Sequence, residues 1–394
     1  MSSSNLVRVA LIEETVLAET PASGDFATAR FTSESLSGTP ETTQSQQIRT
    51  DRLASGQIVT SLTVEGDLNF ELAKEPVIDN LMEGAMLNDW NVQALVTVDL
   101  TVVAATKSIT RASGSFSGLI VVGDFITLDG FLNVENNVVV QVIEVVSATQ
   151  IKVSAENDLA DEVGVGTTYK RADKLTIGTS KKSFTMEKAF LDLTNKALIY
   201  KGMLPNTMSL NVAYGEIITG AFGFNGTKYL EADTAGEFVT NARTITNPAT
   251  TNSMNGSIDM PLLVSSAVGV LEKANFCIQS VALSLNNNFL AQTCIGEAAP
   301  KDYSPGTAEI EVNMSTYLSD INWSILGKKL TQEPFSLGFL VRNLDGFYGF
   351  FLPAIQVSFN DPSSGGANQE VSLEMTGSAR VGINGESSLT IYRS

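Results

Sequence analysis

Histidine is missing from the sequence altogether. The chain therefore lacks Ser-His-Asp or Cys-His nucleophile activation, imidazole metal ligands and the usual general base near neutral pH. Its acidic clusters do not have the spacing of a calcium loop, and no glycine-rich phosphate loop is present. No spacing nominates two facing carboxylates for glycoside hydrolysis. We therefore expect no enzyme, no catalytic residues, no cofactor and no metal site.

Basic residues and cysteines are scarce. Only 25 lysines and arginines oppose 43 aspartates and glutamates, which gives a net charge of −18. Such a balance favours solubility and opposes a surface that grips nucleic acid phosphates. Cys277 and Cys294 lie in apolar, strand-like segments, and we expect free, buried thiols, with a single disulfide as the alternative.

Long apolar runs are also missing. No segment approaches the roughly 20 apolar residues of a membrane span. The opening "MSSSNLVRVALIEETVLAET" lacks the basic, apolar and small-residue order of a signal peptide. We expect a chain that is made in a cytoplasm and has no membrane partner.

Period-2 alternation dominates the sequence and predicts a mainly β protein. In "SLTVEGDLNFELA", apolar positions 68, 70 and 72 alternate with Asp67 and Glu71. In "GTAEIEVNM", apolar positions 308, 310 and 312 alternate with Glu309 and Glu311. Each segment reads as a half-buried strand with an acidic outer face.

Each of these strands precedes a predicted helix. In "KEPVIDNLMEGAMLNDW", Pro76 suits the first helical turn, and an apolar stripe follows. In "MSTYLSDINWSILGKKL", Ser315 or Thr316 is the expected cap, and Gly327 is expected near the end. Both halves of the chain therefore read strand, helix, strand.

A leucine-proline pair also recurs. "ALIYKGMLPNTMSLNV" contains Leu204 and Pro205, and "FYGFFLPAIQVSFN" contains Leu352 and Pro353. We interpret each as a hairpin, preceded by a strand that begins with Phe and followed by a strand that contains Thr-Gly. The apolar positions after the two pairs are Met208, Leu210 and Val212, and Ile355, Val357 and Phe359. Five landmarks recur in the same order, which favours a duplicated unit over coincidence.

The predicted organisation is two tandem β domains with a small inserted β module. The inserted segment has strands of its own near 118–128, 137–146 and 150–154, and a host tolerates an insertion whose ends meet. A Thr- and Asn-rich stretch links the halves. The predicted boundaries are 1–105 with 172–235 for the first domain, 106–171 for the module, 236–256 for the connector and 257–394 for the second domain.

The first 90 or so residues resemble the N-terminal part of major tail tube proteins of long-tailed, siphovirus-like bacteriophages. The resemblance extends to 172–235, and for 257–394 it rests on the internal repeat. It is carried by Glu13-Glu14-Thr15, Thr20-Pro21, "RFTSESL" from Arg30, "QIRTDR" from Gln47, "GDLNFEL" from Gly66 and the helix after Pro76. The inserted module is similar, more weakly, to small β modules of phage virion proteins.

The resemblance implies tube folds of two packed antiparallel sheets, sandwich- or barrel-like, with one flanking helix each. It implies self-assembly into stacked rings that form a hollow tail tube in the virion, through which DNA passes without specific binding. A duplicated chain would form a homotrimeric ring with pseudo-sixfold symmetry. Tape measure and terminator proteins are the other implied partners, and synthesis would take place in the cytoplasm of the host bacterium.

Within that interpretation, Asp67, Glu71, Glu309 and Glu311 are candidates for the channel lining. The alternation equally allows an outer wall in contact with solvent. Two further hypotheses stay open: an adhesin or receptor-binding protein that displays the module, and a component of the tube's end such as a terminator. An adhesin predicts exposed aromatic clusters within 106–171, where the sequence has Phe116, Phe125, Phe131 and Tyr169.

Overall fold

The computed structural model describes residues 3–48, 50–51, 53, 56–154, 159–194, 196–232, 244–248, 250–256, 262–265, 272–273, 277–320, 323–362, 370–383 and 385–394. Over these residues the protein is mainly β, as the alternation predicts, and nearly every strand pair is antiparallel. Two α-helices accompany the strands. Short 3-10 turns cover Ser4–Leu6, Ala104–Thr106 and Val134–Asn136.

The first strand group comes from two stretches of the chain. Before the module it comprises β1 (Val7–Glu13), β2 (Phe26–Ala29), β3 (Ser33–Glu34), β4 (Ser37–Gln44), β5 (Gln57–Glu71) and helix α1 (Pro76–Met86). The module follows with β6 (Leu95–Thr97), β7 (Leu100–Val103), β8 (Ser108–Arg111), β9 (Phe125–Asp129), β10 (Val139–Val145), β11 (Gln150–Ser154), β12 (Glu162–Val163) and β13 (Thr168–Arg171). After it the group continues with β14 (Asp173–Thr176), β15 (Phe184–Phe190), β16 (Ala197–Ala213), β17 (Thr219–Gly226) and β18 (Lys228–Ala232).

The second strand group follows a short connecting strand, β19 (Ile245–Thr246). It comprises β20 (Leu262–Ser265), β21 (Glu272–Lys273), β22 (Ile278–Asn286), β23 (Leu290–Gln292), β24 (Asp302–Ser304), β25 (Glu309–Tyr317), α2 (Trp323–Thr331), β26 (Phe335–Asn343), β27 (Gly346–Ser358), β28 (Ser372–Ala379) and β29 (Thr390–Arg393).

The two groups use the same strand pairings. In the first, β1 pairs with β15, β15 with β16, β16 with β17 and β17 with β5. In the second, β20 pairs with β26, β26 with β27, β27 with β28 and β28 with β25. The predicted Thr-Gly landmark fixes their correspondence, because Gly220 lies opposite Leu210 and Phe70, and Gly377 lies opposite Val357 and Val312.

The leucine-proline pairs do not form hairpins, which corrects the prediction. Leu204 and Pro205 lie inside the 17-residue strand β16, and Leu352 and Pro353 lie inside the 13-residue strand β27. Proline lacks an N–H donor but fits extended backbone at a bulge, and the β16–β17 register shifts between Pro205 and Thr207. The proline therefore marks a bend inside a long strand rather than a turn between two.

The bend carries β16 from one sheet layer to the other. Its first part pairs with β15 and β18, and its second part pairs with β17 and β22. Gly202 makes the bend with φ +65°, and a Cβ there would lie 2.2 Å from Thr227 Oγ1. The main apolar core, which includes Leu68, Met186 and Phe222, lies between these layers.

The helices begin where sheet pairing ends. Helix α1 starts at Pro76 as predicted, buries Val77, Ile78 and Leu81, and ends at Met86, after which Leu87 adopts the left-handed conformation. Ser315 and Thr316 do not cap α2, because both pair within β25, between β22 and β28. Gly327 lies inside α2 rather than at its end.

The module packs firmly on the second strand group. Its sheet runs in the order β12-β7-β8-β11-β10-β9-β13-β6 and begins at Leu95, upstream of the predicted boundary at residue 106. The predicted strand at 118–128 begins only at Phe125, whereas those near 137–146 and 150–154 are present. The ring centroids of Phe125 and Tyr392 of β29 are 5.2 Å apart. Phe125 also packs in one cluster with Phe347 and Phe351.

Candidate functional site

One continuous sheet joins the two strand groups. Its order is β3-β5-β17-β16-β22-β25-β28-β27, antiparallel throughout, and we call it the joined sheet. The junction between the groups is the pairing of β16 with β22 over seven residues from Thr207 and Asn286 to Ala213 and Ser280. Since β17 lies on the other side of β16, and β25 on the other side of β22, no gap separates the groups.

One face of the joined sheet is apolar and buried. Leu68 and Phe70 of β5 are about 1% exposed, as are Ile310 and Val312 of β25. The Phe70 and Phe222 rings stack with centroids 5.0 Å apart. This face holds the sheet against the second layer, so the opposite face is the one left to meet solvent or a ligand.

The opposite face, which we call the polar face, is built from small polar and acidic side chains. Its strand positions are Glu65, Asp67, Asn69 and Glu71, Thr207, Ser209 and Asn211, Thr219, Ala221 and Asn225, Ser280, Ala282, Ser284 and Asn286, Glu309, Glu311, Asn313 and Ser315, Gln356 and Ser358, and Ser372, Glu374, Thr376 and Ser378. None of these positions is a lysine or an arginine. The polar face therefore carries formal charge of one sign only.

The structure places all four predicted acids on the polar face. Asp67 and Glu71 lie on β5, and Glu309 and Glu311 lie on β25. The two pairs are not brought together, since four strand spacings of about 4.8 Å separate β5 from β25, roughly 19 Å in all. Glu71 is half-buried and accepts a hydrogen bond from Ser253 Oγ at 2.7 Å.

Two further acids of the polar face were missed from sequence. Glu65 continues the same alternation backwards along β5, past Gly66. Glu374 lies between the buried Leu373 and Met375 in β28. The alternation signal was present in both segments. Among the described residues, none of the six carboxylates forms an ion pair with a lysine or arginine, so their charge is uncompensated by contacts.

The residues of the leucine-proline pairs have a structural position instead. Leu204 and Leu352 are at most 1% exposed, and both prolines are buried. Pro205 lies against α1, because a Cβ added at Gly84 would come 2.8 Å from Pro205 Cγ. These residues set the bend in the long strands and do not face a ligand.

A buried carboxylate holds the loop after β1 to the same bend. Glu14 accepts hydrogen bonds from Ser183 Oγ and Thr185 Oγ1, both at 2.7 Å, from Gly202 N at 3.0 Å and from Ala18 N at 2.9 Å. Four donors satisfy the two carboxylate oxygens in a position that is only 7% exposed. The acidic pair at 13–14 is therefore partly structural, and Glu14 is not a cation ligand.

A second buried network ties α1 to the second strand group. Asp79 pairs with Lys74 Nζ and Arg393 Nη1, both at 2.9 Å, and accepts a 2.7 Å hydrogen bond from Tyr348 Oη. The Arg393 guanidinium lies 4.4 Å from the Trp90 ring centroid. Burial lowers the pKa of Lys74 against the opposing attraction of Asp79, and burial raises the pKa of Tyr348 well above its usual value.

Both cysteines are free, and both are exposed, which corrects the expectation of burial. Cys277 lies just before β22 begins, and Cys294 lies beyond the end of β23. Neither falls at an inward position of a strand, so the apolar character of the neighbouring sequence does not bury them.

Two kinds of site are not found in the described part of the chain. No group of three or more Cys, Asp or Glu side chains there is arranged to hold a metal ion. Among the helices that the structure describes, none has the length and apolar character needed to cross a membrane.

The fold is that of a β-sheet structural protein. Its two strand groups are joined edge to edge and present one long polar face. The sequence matches the family model described as phage tail tube protein over residues 4–379. The match covers nearly the whole chain, which belongs to this family and is a structural protein of the phage tail. Membership implies assembly with itself and with other tail proteins into a tube of the virion. No curated protein matches the sequence.

Proposed function

We propose that three copies of this chain close into a ring, that rings stack into the tail tube, and that the polar face lines the channel through which DNA leaves the capsid. The observation that carries the proposal is the β16–β22 junction, which joins two strand groups of the same pairing order into one sheet. Two such groups per chain suggest a duplicated tube fold and make six groups in a ring of three chains.

The charge of the polar face supports its assignment to the channel. Glu65, Asp67 and Glu71 lie on β5, and Glu309 and Glu311 lie on β25; no lysine or arginine occupies a strand position of the polar face. DNA carries a charge about every 1.7 Å of its axis, so a wall of carboxylates repels the backbone and lets it slide. Small hydroxyl and amide side chains fill the space between the acids. They offer no cationic group that would bind the DNA phosphates.

The packing of the module favours a structural role over an adhesin. The module occurs once per chain and packs on β27 and β29 through Phe125, away from the polar face. The aromatic residues that an adhesin would need to expose, Phe116, Phe125, Phe131 and Tyr169, are between 1% and 6% exposed. The module is therefore better suited to a fixed outer position than to aromatic recognition of a host surface. A role at the tube's end, as a close relative of the main tube protein, is the remaining alternative.

Electron microscopy of the purified protein tests the ring. We expect rings or tubes with a central hole, built of 42.0 kDa chains and carrying three peripheral densities for the modules. A ring of six chains, which would carry six modules, would contradict the trimer. A protein that stays monomeric even when other tail proteins are added would contradict the tube assignment.

Charge reversal tests the channel. The Glu309→Lys/Glu311→Lys variant makes the formal charge of the polar face more positive by four units in each chain. We expect slower DNA ejection, with a steeper dependence on salt. The matched control is Asp129→Lys/Glu135→Lys, which changes charge equally at exposed positions of the module. Equal ejection rates for the two variants over a range of salt would exclude the polar face as the channel wall.

A further inference from the structure

Strand β29 is enclosed by four parts of the chain that are distant from one another in sequence. Along its two edges, Ile391 lies opposite Leu175 of β14 and opposite Phe350 of β27. On its inner face Ile391 belongs to the main apolar core, and on its outer face Tyr392 belongs to the cluster formed with the module. The slot that β29 fills is therefore complete only when both strand groups and the module have folded.

Strand β14 depends on β29 for its place in a sheet. Among the strands that the structure describes, β29 is the only one that pairs with β14, over the four residues from Asp173 to Thr176. Since β14 belongs to the first strand group and β27 to the second, β29 joins the groups a second time, away from the β16–β22 junction. Removal of β29 would separate β14 from β27 and leave an open edge on each.

Tyr392 binds β29 to the module. Its hydroxyl donates a 3.0 Å hydrogen bond to Asp124, and its ring packs edge-on against Phe125. Gly349 lies opposite Tyr392 on β27, and a Cβ at Gly349 would lie 2.6 Å from the Phe125 ring. The glycine therefore leaves the space through which Phe125 reaches Tyr392.

Arg393 binds β29 to the first strand group. Its Nη1 lies 2.9 Å from an oxygen of Asp79 on α1, and its Nε lies 3.4 Å from an oxygen of Asp173 on β14. The guanidinium also covers the ring of Trp90, just beyond α1. A planar guanidinium can bond two carboxylates and stack on a ring at the same time. Neighbouring residues of a strand face opposite sides, so Tyr392 and Arg393 contact different walls of the slot.

We infer that the slot between β14 and β27 is a strand-binding site, and that residues 386–394, which we call the strap, bind in it as a separable ligand. The ligand that the slot recognises is an extended segment in which a phenol is followed by a guanidinium. Residues 380–383 and 385–389 form no helix or strand, so the strap can leave the slot without disturbing β28. The seven-residue β16–β22 junction then still holds the two strand groups together. Closure of the strap fixes the module, α1 and the second strand group to one another, in the single chain and independently of any ring.

Cutting the folded chain tests the strand-binding site. A protease recognition sequence is inserted between the exposed Gly385 and Glu386, and the chain is folded before it is cut. We expect the strap to stay bound through gel filtration and to exchange with a fluorescent synthetic peptide of the sequence 386–394. Release of the strap on cutting, with an unchanged far-ultraviolet spectrum of the remaining chain, would overturn the binding site. Unfolding of the whole chain on cutting would also overturn the inference, because β29 would then be an inseparable part of the core.

Competing peptides test the two recognition residues. In the peptide 386–394, we expect Tyr392→Phe and Arg393→Gln each to weaken competition by about 10-fold or more, because each removes a donor to a buried carboxylate. Ser388→Ala is the matched control and should compete like the native peptide. Equal competition by all three variant peptides would overturn the roles of Tyr392 and Arg393 in recognition.

Hydrogen exchange of the uncut chain provides a second measurement that needs no variant. Opening of the strap exposes the backbone of β29 and β14 together, so we expect the hydrogen-bonded amides of both strands to exchange at similar rates. These rates should exceed those of the β16 amides by about 10-fold or more, because β16 stays paired when the strap opens. Equal rates in all three strands would show that β29 leaves its slot only when the whole chain unfolds, and would overturn the strap.

Discussion

Leu210 of the first strand group lies directly opposite Leu283 of the second, across β16 and β22. Both side chains are no more than 4% exposed and belong to the same core cluster. The two groups therefore share one sheet and one apolar core across the junction.

The first prediction concerns this contact. Leu283→Ala removes a fully buried leucine and should lower the free energy of unfolding by about 2–5 kcal/mol, since a cavity remains between the groups. Ser284→Ala is the matched control, because its side chain lies on the polar face, and should change stability by less than about 0.5 kcal/mol. Chemical denaturation measures both. Equal free energies of unfolding for the two variants would mean that the apolar contact at the junction does not contribute to stability.

The second prediction concerns the buried network around Asp79. Asp79→Ala leaves Lys74 and Arg393 without their shared partner, and we expect a loss of about 3–5 kcal/mol. The control is Asp89→Ala, whose carboxylate pairs with Lys182 at 2.6 Å but is 72% exposed. Exposed pairs contribute about 0–1 kcal/mol, so this variant should unfold near the wild-type midpoint. If Asp79→Ala unfolded there too, the network would not tie α1 to the second strand group.

The third prediction concerns the bend in β16. Gly202→Ala introduces a Cβ at φ +65° and against Thr227 Oγ1, and should cost about 1–3 kcal/mol. Gly215→Ala has a similar φ of +77° but open space around the new Cβ, so it should cost only the backbone term of about 1 kcal/mol. A thermal melt of both variants separates crowding from conformation. A smaller loss at Gly202 than at Gly215 would contradict the described bend.

The fourth prediction concerns alkaline pH. Burial and the hydrogen bond to Asp124 raise the pKa of Tyr392 well above 10, its usual value. A raised folded-state pKa means that the stabilisation is fully present below about pH 10 and is lost as the pH rises further. Tyr392→Phe removes this dependence, so the slope of unfolding free energy above about pH 10 should be shallower by up to about 1.4 kcal/mol per pH unit.

The exposed Tyr214 supplies the control for the pH experiment. Its side chain is 80% exposed, so Tyr214→Phe should leave the slope unchanged. Urea unfolding at several pH values between about 9 and 11 measures all three proteins. Identical slopes for wild type and Tyr392→Phe would show that Tyr392 is not buried against Asp124 in solution.

The sequence predicted those features that depend on local pattern. The alternation around Asp67 and Glu311 predicted the acidic outer positions, and Pro76 predicted the start of α1. The order of the landmarks predicted that the two halves of the chain have the same order of elements. The structure shows the same strand pairings in both strand groups. Period 2 is dictated by strand geometry and needs no knowledge of the partner strand.

The features missed from sequence depend on distant partners. Pro205 and Pro353 looked like turns, because only the pairing of β16 with β17 and of β27 with β26 shows that the chain continues as a strand. Ser315 was predicted to cap α2, but it lies within β25 and pairs with both β22 and β28. The buried role of Glu14 likewise depends on donors more than 160 residues away, at Ser183 and Thr185.

A cryo-electron microscopy map of the assembled tube tests the central claim most directly. We predict a threefold ring in which Glu309 and Glu311 face the hole and the modules lie outside. A ring with sixfold symmetry would contradict the account, as would a channel wall formed by any other face of the chain.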